Sequence, residues 1–161
     1  MMSIMIESFA PVIDENSRVL ILGSIPSVKS LQASQYYAHP RNAFWLIMSE
    51  LFGFEMTLAY EERLKILLLH GVALYDVIGA CERKGSLDSA IKEIQHQDFT
   101  QFFQHYPNIV AICCNGAKAY REFTKIYNGD KAIYPLPSTS PAFAKMRKEE
   151  KLAKWQIIIE I

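Results

Sequence analysis

The order of apolar and polar positions along the chain predicts alternating strands and helices. Val19-Leu20-Ile21-Leu22 is a continuous apolar run, the pattern of a central strand covered on both faces, and Gly23-Ser24-Ile25-Pro26-Ser27 stops it with turn residues. A short N-terminal lead precedes it, with Ser17 and Arg18 at its start. A polar, aromatic-rich stretch then runs into a helix from about Asn42 to Leu51, ended by Phe52-Gly53, whose Phe44, Trp45, Ile47 and Met48 belong to a broad core-facing side. A second helix, about Ala59 to Leu69, carries charges at Glu61, Glu62, Arg63 and Lys65 and apolar side chains at Leu64, Leu67 and Leu68, with His70-Gly71 as its cap.

Val72 to Ile78 reads as the second strand, broken by Asp76, and Glu82 to Asp88 as a connecting loop. Ser89 to Ile94 and Phe99 to His105 suggest two short helices, closed by Pro107-Asn108. Ile109 to Cys114 is the third strand, and Asn115-Gly116 ends it and opens a helix through Tyr127. Lys131 to Leu136 is a short fourth strand that delivers Pro137-Ser138-Thr139-Ser140-Pro141. A last helix to the C-terminus is expected to bury Met146, Leu152, Trp155 and Ile159. The alternation predicts an α/β fold: a three-layer α/β/α arrangement around a central four-stranded, mostly parallel sheet with right-handed crossovers.

Composition narrows this picture. With 161 residues, 50% hydrophobic and 21% charged, the chain is expected to form a single domain over residues 1–161. A formal net charge of +0 argues against coating nucleic acid by electrostatics alone and favours a local, shaped site. Cys81 and the adjacent Cys113-Cys114 form no metal or disulfide pattern, which predicts reduced thiols in the cytoplasm and no metal. The N-terminal MMSIMIESFAP lacks the features of a signal peptide, and no run reaches transmembrane length.

Candidate chemistry gathers where the strands end. In open α/β sheets ligands sit at the carboxyl ends of the strands, so the Ser24 and Ile25 N–H groups are expected to face a crevice. Tyr36, Tyr37, His39, Arg41 and Asn42 bring stacking planes and amide chemistry to the same place, a combination suited to a nucleobase. Several of these residues have a plainer alternative. Asn42 can be a helix N-cap, Asp76 can bond nearby backbone or Arg83, His39 can hold a turn, and Ser140 can cap a helix before Pro141. Cys113-Cys114 with His105 and Asp76 would make a rival cysteine hydrolase, against which two consecutive cysteines in an apolar strand read as buried thiols.

Gly23-Ser24-Ile25-Pro26-Ser27 followed by Tyr37-Ala38-His39-Pro40-Arg41-Asn42-Ala43-Phe44-Trp45 resembles the uracil-DNA glycosylase superfamily, specifically its deoxyinosine (hypoxanthine-DNA) glycosylase branch. Gly71 to Asp76, Cys81 to Asp88 and Leu136 to Ala142 follow in that family's order and approximate spacing, so the resemblance spans nearly the whole chain. It implies a cofactor-independent, monofunctional enzyme. Such an enzyme hydrolyses the N-glycosidic bond of a deaminated base, here hypoxanthine, in double-stranded DNA, and leaves an abasic site. It implies Asn42 as the catalytic residue. Gly23, Ser24, Ile25, Tyr37 and Asp76 are the expected base-binding residues, and Ser138, Thr139, Ser140, Arg41 and Phe143 the DNA contacts, with Ala142 or Phe143 at the position that wedges into the vacated stack and Phe143 the bulkier of the two. A monomer is expected.

Many superfamily members place Asp or Asn just after the first-strand glycine, where this chain has Ser24, and His or Asn in the last motif, where it has Ser138. Both departures fit the deoxyinosine branch and argue against efficient uracil excision, with Asp76 a partial substitute for the missing carboxylate. The alternatives are a mismatch-specific uracil/thymine glycosylase and a non-catalytic nucleotide-binding α/β module using the same crevice.

Overall fold

The computed structural model describes residues 4–161; the first three residues of the N-terminal lead lie outside the described residues. Its centre is a four-stranded parallel sheet. Strands β2 (Val19–Gly23), β3 (Val72–Asp76), β6 (Ala111–Asn115) and β7 (Ala132–Leu136) pair in the order β3-β2-β6-β7. The two inner strands are the most apolar, as strands covered on both faces must be.

Alternation along these strands sends side chains to two cores. Val19 and Ile21 of β2, with Val72 and Leu74 of β3, meet Phe44, Trp45, Ile47 and Met48 of α2 (Phe44–Phe52), Leu67 of α3 (Tyr60–Leu69) and Trp155 of α6 (Lys148–Trp155). Leu20, Leu22, Ala73, Ile112 and Cys114 meet Phe99 and Phe102 of α4 (Phe99–His105) and Phe123 of α5 (Ala117–Ile126) on the other face. Helices therefore cover both faces, giving the three expected layers. A short helix not read from the sequence, α1 (Val28–Ala33), follows β2, with Ser27 as its cap accepting from the Ser30 N–H at 3.2 Å.

The segment after β3 departs from expectation. Ile78 to Arg83 is a strand, β4, where a loop was expected from Glu82, and Lys92 to His96 is a strand, β5, where a short helix was expected. With β1 (Ile4–Glu7) they form a separate antiparallel sheet, order β1-β4-β5. The physical reason is a small satellite core. Ile6, Ile25, Ile78, Cys81 and Ile91 bury one another, and that burial outweighs the polar look of the segment. Near the C-terminus the chain turns at residues 141–146 before α6 begins, and Ile158 rather than Ile159 is the buried isoleucine, because the helix gives way to a 3₁₀ turn at Gln156–Glu160.

Candidate active site

Four chain segments meet at the carboxyl ends of the parallel strands. They enclose a cavity of about 400 Å³ that Tyr37, Asn42, Asp76 and Ser138 all line. It lies where the strand order turns back, between β2 and β6, the usual ligand position in an open α/β sheet.

Gly23 ends β2 directly opposite Asp76 of β3. A Cβ at Gly23 would stand 2.6 Å from Asp76 Oδ1 and 3.1 Å from the Tyr37 hydroxyl, so the missing side chain is what lets both polar groups close over the strand end. Beyond Gly23, the Val77 N–H donates to Gly23 O at 2.9 Å and the Ile78 N–H to Ser24 O at 3.1 Å. Among the described residues, no protein acceptor takes the Ser24 or Ile25 N–H, and both residues line the cavity.

Asp76 is 3% exposed, and its Oδ2 has no hydrogen-bond partner. The expected structural alternative, a bond to Arg83, is not made. The Arg83 guanidinium donates instead to Pro26 O at 2.6 Å and Gly85 O at 2.5 Å. Burial raises the Asp76 carboxyl to about 7, only partly countered by the Arg83 charge. Tyr37 sits at φ 57° and stacks on Phe44, with ring centroids 4.1 Å apart. Its hydroxyl is likewise buried without a partner, and burial followed by the Asp76 charge raises its pKa. Buried polar groups are rarely left unpaired, and each costs roughly 1–3 kcal/mol, so two side by side in a cavity wall mark a place where a ligand supplies the partners.

Asn42 is half-buried, lines the cavity and holds the turn into α2, accepting the Phe44 N–H on Oδ1 at 2.9 Å, while the cap position itself is taken by Ala43. An amide oxygen has two lone pairs, so this bond leaves room for a second partner. Phe44 and Trp45 are core residues, at 0% and 4% exposure. His39 holds the turn: its Nδ1 accepts the Arg41 N–H at 3.1 Å. Arg41 itself is exposed and outside the cavity lining.

Ser138, Ser140 and Phe143 line the cavity beside Thr139. Thr139 is 1% exposed and braces the loop from below, which does not fit a hydroxyl expected to meet phosphate. Its carbonyl accepts the Ala43 N–H at 2.9 Å, which ties the loop to the start of α2. Ser138 Oγ accepts the Ser140 N–H at 3.1 Å, Ser140 Oγ accepts the Ala142 N–H at 3.2 Å, and the half-buried Phe143 has the Lys151 ammonium 5.3 Å from its ring centroid.

Three further residues were not singled out from the sequence. Asn115, the polar residue at the carboxyl end of β6, bonds Thr139; Asp88 accepts the Ser24 hydroxyl at 3.0 Å; and Arg121 lines the cavity. Asn115 follows an apolar strand at the same level as Asp76, and that position was its signal. Cys113 and Cys114 are buried in the sheet, which pushes both thiols up to about 12 and removes them as nucleophiles.

A family model described as the uracil DNA glycosylase superfamily matches residues 10–160. The chain belongs to that superfamily. Two relatives are hypoxanthine DNA glycosylases by name. One, from Methanosarcina acetivorans, is 36% identical over 152 residues, covering 93% of this chain and 95% of its own. The other, from Methanosarcina barkeri, is 37% identical over 114 residues, covering 70% and 72%. A solution NMR structure of a Methanosarcina acetivorans protein assigned to the uracil DNA glycosylases superposes with a TM-score of 0.86 at 34% identity, covering 96% of each chain. A uracil DNA glycosylase-like α/β/α fold is therefore common to this chain and that structure, and the cavity lies at the switch point of the shared sheet. No described helix is long and apolar enough to cross a membrane.

Proposed function

We propose that this superfamily member is a monofunctional DNA glycosylase that removes hypoxanthine from double-stranded DNA and leaves an abasic site. It acts as a monomer in the cytoplasm, as one domain over residues 1–161. The observation that carries the reading is the convergence of Tyr37, Asn42, Asp76 and Ser138 on one cavity. The two closely similar relatives named hypoxanthine DNA glycosylases support the choice of base.

Glycosidic cleavage leaves positive charge on the sugar and negative charge on the departing base. Donors aimed at the base lower that barrier, and the free N–H groups of Ser24 and Ile25 at the end of β2 are preorganised for it. The lone pair that Asn42 Oδ1 does not spend on the Phe44 N–H holds the water that adds to the anomeric carbon. Tyr37, backed by Phe44, supplies the stacking plane. In the cavity wall, Ser138 and Ser140 contact the phosphates and Phe143, steadied by Lys151, fills the gap left by the extruded nucleotide, while Arg41 adds charge outside it. Extrusion costs a few kcal/mol and least for weak pairs, which favours a deaminated base.

The test is incubation with duplexes carrying hypoxanthine, uracil, xanthine or a thymine mismatch, followed by alkaline cleavage of abasic sites. Strand breaks dominated by the hypoxanthine duplex are the expected result. Breaks dominated by uracil or mismatched thymine would move the chain to the mismatch-specific branch, and binding without breaks would make it a non-catalytic module.

A further inference from the structure

Among the described residues, the carboxyl of Asp76 is one of the two buried polar side chains with an unpartnered atom, and both stand in the wall of the cavity. An uncharged carboxylic acid there has what the rest of the pocket lacks, a proton it can give up at neutral pH. We propose that Asp76 is the general acid for the leaving purine, hydrogen-bonded to N7 of the extruded base and delivering its proton there as the C1′–N9 bond breaks. This rests on the hypoxanthine reading above.

The groups around Asp76 fit the assignment. Tyr37 and Tyr36, from the turn after α1, have pKa values raised by burial and then by the Asp76 charge, and Tyr75, its strand neighbour, shifts the same way. All three remain phenols: Tyr37 in the cavity wall can hydrogen-bond a base but not protonate it, the Tyr36 hydroxyl donates to Ala10 O at 2.9 Å, and Tyr75 packs on the other face of the sheet. Arg83, from β4, is the cation that draws the acid toward ionisation, and its hydrogen bonds are spent on two backbone carbonyls. Asp88, Lys118 and Arg121 stand at the wall formed by α5 and the loop after β4, and none bonds the Asp76 carboxyl. The acid stays close to half-protonated near neutrality, the condition for effective proton transfer.

The step balances without any oxidant or reductant. The C1′–N9 electron pair passes into the purine ring, the Asp76 proton bonds N7, and hypoxanthine leaves neutral. Water adds its oxygen to C1′, and the proton it releases restores the Asp76 acid. A pyrimidine has no N7, so the device serves purines and gives uracil no comparable help.

Single-turnover excision should be measured against pH for the wild type and Asp76→Asn, on hypoxanthine and 7-deazahypoxanthine duplexes. On hypoxanthine, wild-type rates should fall as pH rises through the neutral range. Asp76→Asn should be about 10²–10⁴-fold slower and lack that descending limb. On the 7-deaza base, which has no N7 acceptor, wild type and variant should cleave at the same low rate. An Asp76→Asn enzyme with the wild-type profile, or a wild-type advantage that persists undiminished on the 7-deaza base, overturns the acid assignment alone. A wild type inactive on hypoxanthine overturns the functional reading and this one together. Wild type alone also decides the matter if the variant folds poorly: the descending limb should vanish on the 7-deaza base, and a limb that persists there overturns the acid assignment.

Discussion

Asn115 and Thr139 exchange two hydrogen bonds. The Asn115 amide donates to Thr139 Oγ1 at 3.0 Å, and the Thr139 N–H donates to Asn115 Oδ1 at 3.0 Å. The pair joins the end of β6 to the loop after β7, and the Thr139 carbonyl passes the linkage on to the N–H of Ala43. Three of the segments around the cavity are thus fastened at one buried residue. Thr139→Val keeps the shape and deletes the hydroxyl acceptor, leaving an amide N–H of Asn115 unpaired. We expect a loss of about 1–2 kcal/mol, measured by urea unfolding, and a coupling energy with Asn115→Ala in a double-mutant cycle. Additive effects of the two changes would remove the brace.

Gly23→Ala tests the crowding at the end of β2. The new methyl would lie 2.6 Å from Asp76 Oδ1 and 3.1 Å from the Tyr37 hydroxyl, both on side chains packed in place. Small-to-large changes in packed sites cost about 1–3 kcal/mol, and here the displaced groups are those facing the ligand. Excision should fall at least tenfold, with a melting temperature lowered by several degrees. Unchanged activity would show that Asp76 and Tyr37 need not hold these positions.

The parallel sheet was legible because its inner strands are apolar on both faces, and the site because turn residues follow each strand on the same side. What the sequence hid was the partner sheet. Glu82-Arg83 reads as the start of a polar loop, yet Arg83 is buried at 1% exposure, spending its donors on backbone carbonyls. Such local bonding leaves no trace in periodicity. Thr139 was hidden for a related reason. A serine- and threonine-rich loop looks exposed, and only the tertiary contact to Asn115 places one hydroxyl inside. Asn42 shows the reverse. The cap and the catalytic role were alternatives in the sequence, while in the structure Ala43 takes the cap position and the Asn42 oxygen bonds the Phe44 N–H with a lone pair to spare.

That bond separates two variants. Asn42→Ala loses the acceptor of the Phe44 N–H, worth about 1 kcal/mol, and the group that holds water. Asn42→Asp keeps the acceptor, so its thermal melting should match wild type, while Asn42→Ala should melt lower. Excision by Asn42→Ala should fall at least a hundredfold, more than a lost turn bond explains. If Asn42→Ala keeps full turnover once its stability is restored by low temperature, Asn42 holds a turn and nothing more.

Two buried carboxyls give the stability profile opposite slopes. Glu122 on α5 is met by Lys125 at 2.7 Å, His96 at 2.8 Å and Lys118 at 3.5 Å. Burial pushes its carboxyl up, but the Lys125 and His96 hydrogen bonds and the lysine charges more than offset this and hold it at about 2, below the ordinary 4.5. A lowered carboxyl stabilises the native state above its unfolded value, so this contribution is present above pH 4.5 and lost as pH falls toward 2. Asp76 is raised from 3.8 to about 7, so its contribution is complete below 3.8 and lost as pH rises through 7. Glu122→Gln should therefore cost about 2 kcal/mol at pH 7, allowing for the exposure of Lys125, and progressively less toward pH 3. Asp76→Asn should instead gain on wild type as pH climbs from 5 to 8. Urea unfolding of both variants at pH 3, 5, 7 and 8 checks the pair, and two difference curves of the same sign would contradict the charge states assigned to one of them.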